Sequence, residues 1–287
     1  MKSPKTQEGA VSITEIELTR MQFHVVGESP LVPHAVSLKA RQQLIEPPGK
    51  KNEAEKATTK KHEPFDEYRE AAYQFVDDDQ PTRLYMPGAA FHSAMATVAI
   101  DMVGAKKAQV GRLTTVVEEM VPVWGVPQIF STVVKSSDIR RTPDIRTLPI
   151  LPKWAAVFTV SFVGSLIKTA SVANLLGAAG VIIGIGDGRP EKGKLANGKF
   201  KVVSEDDPEL LSIMKSGGRK PQDEALREPR FYNLETERLL NWLVAERARR
   251  HATPPREHKP RSPAAAPAIA AKAAGRKRNG GAKTSAT

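Results

Sequence analysis

The residues best suited to chemistry are concentrated at 180–198, GVIIGIGDGRPEKGKLANG. Six glycines fall here, among them Gly184, Gly186 and Gly188, with Arg189, Lys192 and Lys194 in the same stretch and Lys199 just beyond it. Glycine reaches positive φ and lets backbone N–H groups approach an anion closely. Guanidinium and ammonium groups add charge-assisted bonds to phosphate. The stretch therefore points to phosphate binding. The same residues would also serve an ordinary helix C-cap leading into a strand.

Two familiar phosphate motifs are excluded by order. A dinucleotide fingerprint runs strand, glycine loop, helix, so that the helix N-terminus meets the pyrophosphate. Here the expected order is strand (154–163), helix (169–179), glycine loop, strand (199–203). No GxxxxGK[ST] occurs, which removes the P-loop.

Further cations lie on other segments. Residues 136–152, SSDIRRTPDIRTLPILP, carry Arg140, Arg141 and Arg146 between prolines, without strand periodicity. Arg41 falls in an expected helix at 35–46. Residues 47–63 are rich in lysine and have no large apolar residue, which predicts a mobile loop. The segment 251–287 has eight basic residues and one acid, so it holds +7 of the net +11. It cannot bury enough apolar surface to fold alone and reads as a disordered basic tail. A basic excess of this kind favours a polyanionic partner.

Catalytic signatures are absent. None of His24, His34, His62, His92, His251 and His258 forms a metal-spaced pair. His34 and His92 are each candidates for a general base, as well as for a structural role. Asp77, Asp78 and Asp79 are consecutive, so they cannot all face one ion and read as a solvated turn. Asp138 and Asp144 flank the proline-rich segment with no motif to anchor them. Without cysteine there is no disulfide, thiolate chemistry or Cys-ligated zinc. The expectation is a non-enzymatic chain without a cofactor. Aromatic residues are only 6%, so base stacking on a sheet gives way to backbone clamping. Phe23, Phe130 and Phe158 read as core.

The elements that must position these residues are of mixed type. A strand at 13–26 slips phase near Thr19 and Arg20, which predicts a bulge. Helices are expected at 65–75 and 88–102, with strands at 84–86, 116–123 and 129–134. Thr169 or Ser171 is expected to cap the helix at 169–179, and a last helix spans 235–250. A first folded region at 1–232, a helix at 233–250 and the tail make up the expected layout. The longest apolar run, 172–185, is too short for a membrane span and contains Asn174. No leader is seen, so a cytoplasmic location is expected.

The succession ANLLGAAG (173–180), GIGDGRPEKG (184–193) and NGKFKVV (197–203) resembles the end of the RRM-type, ferredoxin-like domain of the RAMP superfamily. In that family a glycine-rich loop leads through a G-F-G-like turn into the last strand. Here Gly198, Lys199 and Phe200 stand in for that turn, without its second glycine. The resemblance implies an α+β fold with insertions. It also implies a non-catalytic CRISPR-type backbone subunit that multimerises along guide RNA beside other effector-complex subunits, with target-RNA cleavage by an aspartate of the thumb-like loop, as in some relatives, as an alternative. Residues 136–152 would then serve as its thumb-like loop. The segment RTPDIRTLPILPKW with GIGDGRP also resembles phage-encoded proteins of this length. Two alternatives follow from the residues: a phage single-stranded DNA-binding or annealing protein, and an assembly protein tethered to nucleic acid by its tail.

Overall fold

Strand β7 (Ala155–Val163) organises the molecule, because its alternation is the cleanest in the chain: Ala156, Phe158, Val160 and Phe162 are all buried. The computed structural model describes residues 15–46, 49, 62–135, 142–192 and 195–252. The chain forms two units, Met1–Val244 and Ala245–Thr287.

In the first unit, β7 pairs antiparallel with β1 (Leu18–Gly27), and β1 pairs antiparallel with β8 (Phe200–Val203). On its other edge β7 meets β3 (Thr114–Val116) and β4 (Met120–Trp124), and β4 carries β2 (Tyr85–Pro87). The sheet order is β2-β4-β7-β1-β8, with β3 beside β7. The fold is thus α+β with an antiparallel sheet.

Register is continuous from Leu18↔Val163 to Val26↔Ala155, so the expected bulge at Thr19–Arg20 is absent. The phase slip has another cause. Leu18 lies on the open face and is 65% exposed, whereas Met21, 36% exposed, begins the core-facing set opposite buried Val160. The apparent slip is one exposed apolar residue on the open face. The strand expected at 116–123 is two strands, β3 and β4. Between them the Glu118 carboxylate accepts from the Thr159 N–H at 2.8 Å.

One sheet face packs on α3 (Gly88–Val98) and α5 (Thr169–Ala178). Phe91 of α3 lies against Phe158 with ring centroids 4.4 Å apart, and Phe200 joins them at 6.0 Å. Each such ring removes roughly 150–250 Å² from water. Phe23 and Phe158 are therefore core, as expected, and Phe130 is half-buried against Tyr232. On the opposite face, Val26, Trp124 and Ala155 pack under Leu210 and Ile213 of α6 (Pro208–Ser216). Asp207 caps α6 by accepting from the Glu209 and Leu210 N–H groups, and Pro208 fits its first turn. The cap expected at Thr169 or Ser171 does not form. Lys168 occupies that position and gives no side-chain bond.

The segment expected to be irregular at 136–152 is largely a strand. β5 (Gln128–Lys135) and β6 (Pro143–Ile150) make a separate two-stranded sheet, paired from Gln128↔Ile150 to Lys135↔Pro143. The strand is hidden in sequence by two prolines and by burial of both faces at its base, where Thr147, Leu148 and Ile150 are all buried. The Ser131 and Thr147 hydroxyls meet at 3.0 Å inside this hairpin. Helix α2 (Pro64–Glu70) braces it, since Glu67 accepts from the Thr147 N–H. This helix ends at Glu70, short of the expected 75, because residues 74 and 84 form a β-bridge.

Three helices carry no sequence expectation: α4 (Lys107–Leu113), α6 and α7 (Arg219–Arg227). Buried Gln222 of α7 accepts from the Arg83 and Leu84 N–H groups and donates to the Val123, Gly125 and Gly217 carbonyls. It ties β2, β4 and the helices into one piece. Helix α1 (Leu38–Ile45) is capped by Ser37. Helix α8 (Leu234–Ala252) buries Leu240, while Val244 is 54% exposed. In the second unit, Glu246 accepts from Arg249 and Arg250, and the Arg249 bond chiefly holds its carboxyl down to about 2.

Among the described residues, no helix is long and apolar enough to cross a membrane. The tail beyond Ala252, and residues 47–63 apart from Gly49, His62 and Glu63, lie outside the described residues.

Candidate nucleic-acid interface

Helix α5 runs into a π-helical turn, Ala179–Ile183, and then into the glycine loop. Gly184, Gly186, Gly188 and Gly198 all adopt φ between +69° and +78°. Packing demands glycine at two of them especially. A Cβ on Gly198 would lie 1.8 Å from the Ile185 carbonyl oxygen, and one on Gly186 would lie 2.7 Å from that of Val32. The loop is thus clamped between α5, the turn after β1 and the start of β8.

Its backbone donors are mostly committed. The Gly184 N–H donates to Ala179, Ile185 to Gly198, and Asp187 to Val32, all within 2.8–3.0 Å. The Gly188 N–H donates to the Asp187 carboxylate at 3.0 Å. Gly186 keeps an N–H with no partner among the described residues. What the loop offers an anion is therefore mainly side-chain charge.

That charge converges with cations from two other elements. Asp187 meets His34, at 3.3 Å, in the turn after β1. The Tyr73 hydroxyl donates to the His34 carbonyl at 3.2 Å and fixes that turn. Asp187 is held below the usual carboxylate range by the His34 bond first. Partial burial opposes this, and the His34 charge, the Gly188 N–H and the nearby Arg146 assist. Arg41 of α1 acts likewise on Tyr73, whose hydroxyl burial pushes upward. Arg189 donates to the Gly186 carbonyl at 3.2 Å and to Glu191 at 2.8 Å.

Two cavities meet at His34. One, of about 290 Å³, is lined by Tyr73, Pro87, Gly186, Asp187 and Arg189. The other, of about 350 Å³, is lined by Ser37, His62, Glu67, Asp144 and Arg146. In the second, the His62 ring bridges two carboxylates, with Nδ1 2.9 Å from Glu67 and Nε2 3.1 Å from Asp144. Both ring nitrogens are thereby occupied.

The structure thus brings Arg146, Gly186 and Arg189 to the two cavities that meet at His34, while Arg41 lines neither and reaches Tyr73 only through its charge. Lys192 stands at its outer side, 4.0 Å from Glu191. Lys199 lies apart, where its carbonyl accepts from the Glu28 N–H. Arg140, Arg141, Asp138 and Lys194 lie outside the described residues. Tyr73 and Asp187 were not legible as site residues, because only the fold places them beside His34. Among the described residues, no group of His, Asp and Glu could hold a metal ion. Asp78 is engaged by Arg219 and Arg83 on an exposed turn.

No family model matches the chain, and no curated protein matches it by sequence. Solved structures give low-scoring likenesses. One is a chain of the Type III-B Cmr-beta assembly bound to cognate target RNA, at TM-score 0.32 and 12% identity over 65% of this chain. This chain spans 59% of that chain's length. Another is Cmr6 from Pyrococcus furiosus, at TM-score 0.30 and 11% identity, covering 66% of this chain and 100% of that one.

Proposed function

We propose that this chain is a non-catalytic, RAMP-type subunit that holds single-stranded RNA in the cleft around His34 and Asp187 and associates with further copies of itself. The supporting observation is that Arg146 and Arg189, from two separate elements, line the two cavities that meet at His34, with the charge of Arg41 acting on Tyr73 beside them. The core elements follow the β-α-β-β-α-β succession of a ferredoxin-like domain: β1, α3, β3/β4, β7, α5, β8. We read the β5–β6 hairpin, which carries Arg146, as the thumb of such a subunit.

The binding mode is contact with the phosphate backbone. Among the described residues, the open sheet face carries Arg20, Gln22, Thr159 and Ser161 and no Phe, Tyr or Trp ring, so only the His24 imidazole offers bases a stacking surface there. Arginines along the cleft fix the strand's position, and pairing with a guide would supply sequence information.

The test is fluorescence anisotropy of the full chain with single-stranded RNA and DNA of one sequence, across a salt series. Arg41→Ala, Arg146→Ala and Arg189→Ala are each expected to weaken RNA binding and to lower the salt slope by roughly one. Equal binding by all variants, with loss only when residues after 252 are deleted, would leave the tail as the binding element and sink the reading. Equal affinity for DNA would favour the single-stranded DNA alternative.

A further inference from the structure

Two surface features at opposite ends of the sheet complement each other. The first is the turn after Phe75. Val76 is 89% exposed there, followed by exposed Asp77, Asp78 and Asp79. The turn is braced: Phe75 donates to the Arg83 carbonyl, and Arg219 donates to the Asp77 carbonyl and the Asp78 carboxylate. It is an apolar knob ringed by acids.

The second is a groove of about 520 Å³ between the segment before α4 and the start of α5. Val110 and Leu175 form its buried floor, and Val103 and Leu166 form an exposed lip. Lys106 and Lys168 rim it. No acidic residue lines it, although Asp101 stands one residue outside. Helix α5 begins there with Lys168 as its uncapped N-cap and no acid in the first turn. A cation at the positive end of a helix is unfavourable until an anion arrives.

The two features sit far apart. Leu113 and Leu166 adjoin the end of β7, where β3 meets Phe162. The knob adjoins its beginning, through Leu84, Val123 and Ala156. Nine strand residues span roughly 30 Å, so knob and groove cannot meet within one chain. A contact between them joins copies head to tail and repeats from copy to copy.

We propose that residues 76–79 of one copy dock in this groove of the next, with Val76 on the Val103–Leu166 lip and the carboxylates facing Lys106 and Lys168. This contact gives surfaces to the self-association in the proposed function, and it needs no nucleic acid. It is small beside a standard interface of about 1,600 Å², so association is weak and falls with salt. A shared strand would raise the effective concentration and strengthen it.

The experiment is sedimentation equilibrium of the full, nucleic-acid-free chain at low salt. Wild type is expected to self-associate. Asp77→Lys/Asp79→Lys and Lys106→Glu/Lys168→Glu, checked as folded by circular dichroism, are each expected to associate at least tenfold more weakly. An equimolar mixture of the two restores association, because each knob then faces an opposite groove. A monomeric wild type, variants that associate like wild type, or a mixture that stays monomeric overturns the proposal. Anisotropy with a short RNA on the same proteins separates the two readings. RNA binding that survives loss of association leaves the cleft reading intact. Charge-dependent association without any RNA binding leaves only this contact standing.

Discussion

His34 and Asp187 face each other at 3.3 Å, and this pair fastens the turn after β1 to the glycine loop. It makes a prediction about pH. The folded-state pKa of Asp187 lies below its ordinary value, chiefly through the His34 bond. The stabilisation is therefore present above the unfolded value of about 4 and is lost as pH falls through the folded value. Asp187→Asn should lower denaturant stability at neutral pH and converge with wild type in strong acid. The side chain is 46% exposed, so the difference should stay under about 1 kcal/mol. Parallel curves at every pH would remove the pair from the account.

Gly198→Ala should destabilise the chain by about 3 kcal/mol. It places a Cβ at positive φ and against the Ile185 carbonyl. Gly177→Ala is its control. That glycine lies within α5, a Cβ there meets nothing within 4 Å, and alanine should be neutral or stabilising by about 0.5–1 kcal/mol. Urea midpoints of the two variants moving in the same direction would contradict this account.

Gln222→Leu should cost about 2–4 kcal/mol, because it strands the Arg83 and Leu84 N–H groups and removes the amide donor from the Val123 and Gly125 carbonyls in a buried site. A thermal midpoint unchanged from wild type would show that water takes the place of the amide.

Glu191→Gln should tighten RNA binding severalfold at low salt. The carboxylate competes for Arg189 at 2.8 Å, and its removal frees the guanidinium for phosphate. Unchanged affinity would place Arg189 outside the strand's path.

The sequence shows much of the sheet. Strand β7 alternates without interruption, and the order of helix, glycine loop and closing strand is readable because glycine and β-branched residues mark it. Three things are hidden for physical reasons. Pro143–Ile150 loses its period because both of its faces are buried at the base. Helix α7 has buried Gln222 where a hydrophobic residue would announce a core position. The site is hidden because Tyr73, Asp187 and Arg146 come from distant segments, and local pattern carries no record of that meeting. The place of Arg189 in the glycine loop, by contrast, is legible from its glycine neighbours.

The glycine loop has a further consequence. A glycine-rich segment ordinarily loses much conformational freedom when a ligand fixes it. Here Ala179, Val32 and Gly198 already hold its N–H groups, so that freedom was given up during folding. If a nucleic-acid strand binds here as proposed, it meets a surface ordered beforehand, and its affinity would register charge and shape, free of the entropic penalty of freezing a flexible chain.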